Sequence, residues 1–152
     1  MRYVIALTLL LLFSCSVIAD TSNDTESIER AVRDYIESQQ NVAPELMKRA
    51  LDKKLAKRTY WQSKDGSEFV METDFDTMVW VAKNYNKAGN KFPASPTVEI
   101  KILDIDNRVA SVKLTVDDWI DYMHLYKNEN NEWKIINVLW QYHDESKHSS
   151  KS

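Results

Sequence analysis

Two glycines, three prolines and a single cysteine in 152 residues exclude several kinds of protein at once. With only Gly66 and Gly89 available, no glycine-rich loop can bring backbone round a phosphate, and no Gly-x-Ser-x-Gly elbow presents a nucleophilic serine. The lone Cys15 cannot form a disulfide within the chain, and once a leader is cleaved or the thiol is lipidated it leaves no cysteine nucleophile. An excess of positive charge is missing too. The 20 basic residues face 23 acidic ones, a formal charge of -3, and no Lys/Arg cluster offsets that balance locally, so no nucleic-acid partner is expected. His143 and His148 have no cysteine or carboxylate at a ligand spacing, so neither a metal nor another cofactor is expected.

What is present is the material of one domain: 43% apolar residues and 11% aromatics are enough for a single core. It follows a leader. Met1-Arg2-Tyr3, an apolar run from Val4 to Phe13 and small residues ending Val17-Ile18-Ala19 have the layout of a secretory signal over residues 1–19. The run is shorter than the roughly 20 residues a membrane span needs. Two processing routes stand open. Cleavage after Ala19 gives a periplasmic or secreted protein, whereas Leu12-Phe13-Ser14-Cys15 resembles a lipoprotein box with signal 1–14, which would anchor Cys15 to the bacterial envelope.

Three helices are predicted next. Asn23 and Glu26 have capping-box spacing, and Ile28, Val32, Tyr35 and Ile36 share one face, which predicts a helix from Asp24 to Gln39. Pro44 opens a second, striped by Leu46, Met47, Ala50, Leu51 and Leu55, with Lys48, Arg49, Lys53 and Lys54 on its solvated side. Asp65-Gly66 is a hairpin-type turn signal between short apolar pieces, with little regular structure expected around it. Thr73 or Asp74 caps a third helix through Phe75, Met78, Val79, Ala82 and Tyr85, ended by Gly89.

Beyond Pro93 and Pro96 the period changes to two. Val98, Ile100 and Ile102, then Ala110, Val112, Leu114 and Val116, alternate with polar residues about an Asp106-Asn107 turn, as in an antiparallel hairpin with one buried face. The last two strands differ, being apolar on both sides. Trp119, Met123 and Leu125 oppose Ile120, Tyr122 and Tyr126, and Ile135 and Leu139 oppose Ile136, Val138 and Trp140. Helices can cover one such face; the other needs a second subunit, a strongly curved sheet or a ligand. Residues 144–152 are polar and patternless and are expected to be disordered.

Pro44-Glu45-Leu46-Met47-Lys48-Arg49-Ala50-Leu51 with Leu55-Ala56-Lys57-Arg58, then Asp118 to Lys127, then Trp133 to Trp140, resemble the nuclear transport factor 2-like superfamily. Within it the chain is similar to the branch labelled putative lumazine-binding, near the polyketide-cyclase-like and ketosteroid-isomerase-like branches. The resemblance implies an α+β, cone-shaped fold over residues 24–143, with three N-terminal helices packed on a curved antiparallel sheet. It implies no single activity, because this fold carries isomerases, dehydratases, cyclases and modules without chemistry. The glycine usual between the first two helices is replaced here by Asn41-Val42-Ala43.

Two polar residues intrude on the doubly apolar strands and point in opposite directions. His124 could move a proton as a general base or be a hydrogen-bonded core or interface histidine; Asp121 could do acid–base work or form a salt bridge to a neighbouring strand's Lys or Arg at a dimer interface. Tyr60, Trp61, Trp80, Tyr122 and Trp140 are candidates to line a pocket for a flat ligand, against simple core packing. Trp80 falls on the polar side of its helix. The reading is an exported, homodimeric domain that binds a small apolar or aromatic molecule. The alternative is a cofactor-independent isomerase, dehydratase or cyclase using His124 or Asp121, with Tyr122 or Tyr60 donating to an oxyanion.

Overall fold

The computed structural model describes residues 15–150, and side chains from residue 23 onward. The expected leader therefore falls outside the described residues except for 15–19, which open the first helix. In chain order the elements are α1 (Cys15–Gln40), α2 (Pro44–Ala50), β1 (Leu51–Gln62), β2 (Glu68–Thr73) and α3 (Phe75–Asn84). They are followed by β3 (Val98–Asp106), β4 (Val109–Val116), β5 (Trp119–Lys127), β6 (Trp133–Tyr142) and a 3-10 turn at Glu145–Lys147. Six strands form one sheet in the order β2-β1-β6-β5-β4-β3.

The sheet is mixed, not purely antiparallel: β1 runs parallel to β6, while every other neighbouring pair is antiparallel. The chain enters the middle of the sheet from α2 and turns outward through β2. It then crosses by α3 to the opposite edge and returns strand by strand until β6 closes against β1. Ile28, Val32, Tyr35 and Ile36 of α1 are buried with Met47 of α2 and Met78 of α3 in one core with Val112, Leu114, Met123, Leu125, Ile135 and Val138 of the sheet.

Several expectations stand as read. Asp74 caps α3, its side chain accepting from the Thr77 backbone N–H at 2.9 Å. The β3–β4 hairpin turns at Asp106-Asn107, where Asn107 has φ 50°.

Others are corrected. The second helix stops at Ala50, and Leu51 to Gln62 form a strand. Leu51 and Leu55 have helical spacing, but from Leu55 the buried positions are Leu55, Lys57 and Thr59, a period of two hidden because two inward residues are polar. Little regular structure was the expectation around Asp65-Gly66; instead β1 and β2 pair from Lys57↔Thr73 to Gln62↔Glu68. α1 does not start at Asp24, because no glycine or proline interrupts residues 15–23. Asp24 lies inside it and receives Lys127 Nζ at 2.7 Å and Trp133 Nε1 at 3.0 Å, tying the helix to β5 and β6.

In β6 a bulge opposite His124/Leu125 leaves Ile136 unpaired. The extra residue shifts the phase, so Ile135, Val138, Trp140 and Tyr142 serve the helix-covered side while Leu139 faces out. Residues 144–150 are also not without structure, for reasons that belong to the site below.

The missing glycine after α1 has a visible consequence. The Ala43 N–H bonds back to the Ser38 carbonyl at 2.9 Å, which closes the helix in a Schellman turn and puts Val42 at the left-handed position, φ 55°. A β-branched residue is strained there, at a cost of about 1–2 kcal/mol. Val42→Gly is expected to raise the unfolding free energy by about 1 kcal/mol in urea denaturation; a loss of stability would show that Val42's packing outweighs its backbone strain.

Candidate functional site

Between the sheet and the helices lies a cavity of about 200 Å³. Trp119 of β5 and Trp140 and Tyr142 of β6 form one wall, and Met78 and Val81 of α3 with Tyr85 at its C-cap form the other. Thr73 and Thr77 add hydroxyls, and Tyr35 and Gln39 come from α1. These positions follow from local geometry. Met78, Val81 and Tyr85 recur at helical spacing, Trp140 and Tyr142 are two apart on a strand, and all point towards the space α1 leaves open.

The polar centre of this apolar chamber is Lys57. Its Nζ donates to Asp121 Oδ1 at 2.5 Å and to the Tyr35 hydroxyl at 2.8 Å, and stands 4.8 Å from the centre of the Trp140 ring. Asp121 is wholly buried, and its other oxygen accepts from Trp119 Nε1 at 2.8 Å. Burial pushes the Lys57 ammonium below its ordinary value, against the opposing pull of the Asp121 carboxylate and its hydrogen bond. Burial likewise pushes the Tyr35 phenol well above its ordinary value, and the charge of Asp121 adds to the rise. One cation, one carboxylate and one phenol thus converge, with Lys57 the one charged residue that lines the cavity and Asp121 buried against it.

The candidates named from sequence separate on the two sides of the sheet. Asp121 is on the inner side, wholly buried against Lys57 and Trp119 and not itself lining the cavity, and its partner is a strand lysine, as expected, but an interior one of β1 rather than one at a subunit interface. His124 lies on the outer side, exposed, with its Nδ1 3.1 Å from Asn137 Nδ2. Of the five aromatics only Trp140 lines the cavity. Tyr122 faces outward and is 45% exposed, and Trp80 is 63% exposed on α3.

Tyr60 and Trp61 hold the chain's end instead. His148, 2% exposed, stacks on Tyr60 with ring centres 4.4 Å apart and meets Trp61, Trp140 and Tyr142 edge-on or tilted. The Tyr142 backbone N–H donates to its Nε2 at 2.7 Å, and Nδ1 lies 3.1 Å from the Tyr60 carbonyl oxygen. Ser149 bridges to Gln62 alongside β1, and Trp61 Nε1 donates to Ser150 Oγ at 2.9 Å. A tail polar in composition is thereby ordered by one buried imidazole, and it backs the two aromatics that wall the cavity.

Sequence reasoning missed Lys57, Tyr35 and Tyr142 as site residues. Lys57 stands alone as a charge in the alternation Leu55-x-Lys57-x-Thr59, and Tyr35 is the one hydroxyl on the apolar stripe of α1; both signals were there to read.

This architecture agrees with what the chain is similar to. Residues 23–141 match the model of the family described as "Putative lumazine-binding". The chain belongs to that family, and its fold is the one seen in nuclear transport factor 2-like proteins. A nuclear transport factor 2-like protein of unknown function from Shewanella baltica OS155 superposes with a TM-score of 0.60 at 19% identity, over 80% of this chain and 95% of that one. A second such protein, from Silicibacter pomeroyi DSS-3, gives 0.61 at 12% identity, over 80% and 98%. A ketosteroid isomerase-like protein from Erwinia carotovora atroseptica gives 0.50 at 12% identity, over 78% and 95%. Likeness at such identities shows the fold alone. None of the curated proteins compared matches the chain.

The Lys57–Asp121 pair should behave as a unit. Lys57→Met alone leaves a buried carboxylate without its cation and is expected to cost about 3–5 kcal/mol in urea unfolding. Adding Asp121→Asn, which keeps an acceptor for Trp119, should restore most of that loss. A double variant no more stable than the single one would mean the two residues do not depend on each other.

Proposed function

We propose that this chain is an exported, homodimeric domain that binds a small, flat, apolar or aromatic molecule in the cavity between sheet and helices. The observation that carries the reading is a chamber walled by Trp119, Trp140, Tyr85 and Tyr142 around one charged hydrogen-bonding centre, with the Thr73 and Thr77 hydroxyls beside it. Ligand sites are typically apolar, with a few convergent polar groups that fix orientation. A volume of about 200 Å³ lies below the roughly 300–1,000 Å³ of sites for drug-sized ligands, so the occupant is one or two rings in size. A lumazine, the bicyclic compound in the family's description, is of that size.

Export rests on the leader. Cleavage after Ala19 would shorten α1 at its start without touching the buried face that begins at Asp24 and Ile28, and lipidation at Cys15 would keep the whole described helix. Dimerisation rests on the outer side of the sheet. There Tyr122 and Leu139, 45% and 58% exposed, are directly paired across β5 and β6, with Ile120 half-buried beside them. A second copy laid on this side would cover what the helices cannot reach.

The reading of an isomerase, dehydratase or cyclase keeps one specific observation. A carboxylate and a phenol, Asp121 and Tyr35, both approach one point inside an apolar cavity. That point holds Lys57, and Asp121 already accepts from both Lys57 and Trp119, so its availability as a base to a substrate is reduced. Binding is the better supported reading.

Two measurements test the proposal. Because two tryptophans form the wall, titration with lumazine- and pterin-sized compounds should change the intrinsic fluorescence and saturate in the micromolar range. A flat response at high micromolar concentration would remove the ligand reading. In sedimentation velocity the mature chain should run as a dimer, and Tyr122→Lys with Leu139→Lys should run as a monomer; a monomeric parent protein ends the account of the outer face.

A further inference from the structure

Lys57 is chemically unlike the chain's other lysines. The other described lysines stand at least partly in water, whereas its side chain is 9% exposed, enters an aromatic cavity, and ends against a carboxylate at 2.5 Å and a phenol at 2.8 Å. A charge is costly to bury, and nothing in simple ligand packing calls for one. An amine in apolar surroundings is, however, the arrangement that turns lysine from a cation into a nucleophile.

We propose that Lys57 captures a small aromatic aldehyde or ketone as an iminium ion, with Asp121 and Tyr35 carrying the protons. The inference rests on the ligand-binding reading above and names the chemical class of the ligand. In the first step the Lys57 ammonium passes one proton to Asp121, and the free amine pair attacks the carbonyl carbon. A C–N bond forms, the π pair moves to oxygen, and Tyr35 relays the second nitrogen proton to that oxygen to give the carbinolamine. Asp121 then returns its proton to the hydroxyl, which leaves as water while the nitrogen pair closes the C=N bond. One ammonium and one carbonyl have become one iminium and one water. Asp121 and Tyr35 end as they began, and nothing is oxidised or reduced.

The charge balance of the site favours this chemistry over others open to a buried amine. The iminium keeps a positive charge on the same nitrogen beside the same carboxylate, so the ion pair survives the reaction and no buried charge is left alone. Acylation of Lys57 would remove the cation and strand Asp121. Trp140, whose ring already faces Nζ at 4.8 Å, is placed to attract the iminium as it attracts the ammonium. Trp119 keeps Asp121 in place by holding its second oxygen throughout. Burial also pushes the Lys57 amine below its ordinary value, which favours the neutral, nucleophilic form, against the opposing pull of Asp121.

The test uses the mature protein, benzaldehyde as probe and sodium cyanoborohydride at neutral pH, with the adduct mapped by peptide mass spectrometry. Lys57 should gain one benzyl group about tenfold or more faster than any surface lysine. Tyr35→Phe, which keeps the ring and loses the relay, should slow that labelling by about tenfold or more and leave the surface lysines unaffected. An unchanged rate in this variant would overturn the assignment of Tyr35. Tryptophan fluorescence with benzyl alcohol, which has the ring but no carbonyl, separates the two failures. If benzyl alcohol binds but benzaldehyde labels only surface lysines, the capture inference is wrong and the binding reading survives; if neither compound binds or labels the cavity, both are wrong.

Discussion

The arrangement of this protein turns on one buried ion pair, Lys57 with Asp121. The two residues belong to β1 and β5, which are not neighbours: β6 lies between them, so their backbones are two strand spacings apart, roughly 9–10 Å. Lys57 stands opposite Val138 and Asp121 opposite Trp140, two residues further along β6. A long lysine stem and a short carboxylate can meet over such a gap only by passing across the face of the middle strand. Trp140 occupies that place and meets the ammonium with its ring. The pair therefore joins the half of the sheet made by β1 and β2 to the half made by β5, β4 and β3. Tyr35 then fastens α1 over the junction. A loss at either end would strand a charge among apolar groups, which is why the junction is sensitive to single changes.

The same interaction explains what could and could not be read from the chain. α3 and the β3–β4 hairpin were legible because their inward residues are apolar, their period is clean and their ends carry capping or turn residues such as Asp74 and Asn107. β1 was not. Its inward row holds Lys57 and Thr59 after Leu55, so the strand loses its hydrophobic alternation where it serves the site, and the leftover Leu51–Leu55 spacing imitates a helix. A pattern rule that expects lysine outside fails at the one lysine placed inside for a reason. Asp121 was visible as an intruder on an apolar strand, but its partner lies 64 residues away and carries no local mark. The bulge at Ile136 hid the phase of β6 in the same manner, since one extra residue exchanges the two faces for everything that follows.

The carboxyl end shows a second way in which composition misleads. Asp144 to Ser150 holds almost nothing apolar, and segments of that kind normally cannot offset the entropy of being ordered. Here a single residue does. His148 inserts between Tyr60, Trp61, Trp140 and Tyr142, and an N–H from Tyr142 meets one ring nitrogen while the Tyr60 carbonyl faces the other. The aromatics of β1 and β6 that resembled a ligand pocket in sequence are thus split between two tasks. Trp140 and Tyr142 touch the cavity on one side and the imidazole on the other, so the tail sets the position of the wall without entering the site.

From these constraints follows the kind of molecule the cavity can hold. Lys57 is the one ionised residue that lines the chamber, and the buried Asp121 against it cancels its charge. A ligand with a net charge would bring a third charge beside a balanced pair and bury it without compensation, a penalty of several kcal/mol by the usual cost of unpaired buried ions. A hydrocarbon would bind the walls but leave the third Lys57 N–H and the Thr73 and Thr77 hydroxyls unused. An ammonium has three N–H bonds; Asp121 and Tyr35 take two, and the third has only the face of Trp140. A neutral ring carrying one acceptor oxygen uses the walls and this donor together. Under the binding reading proposed above, the buried pair would act as a filter: it ties β1 to β5, would disfavour charged ligands, and would leave an N–H of Lys57, beside the Thr73 and Thr77 hydroxyls, to orient a neutral one.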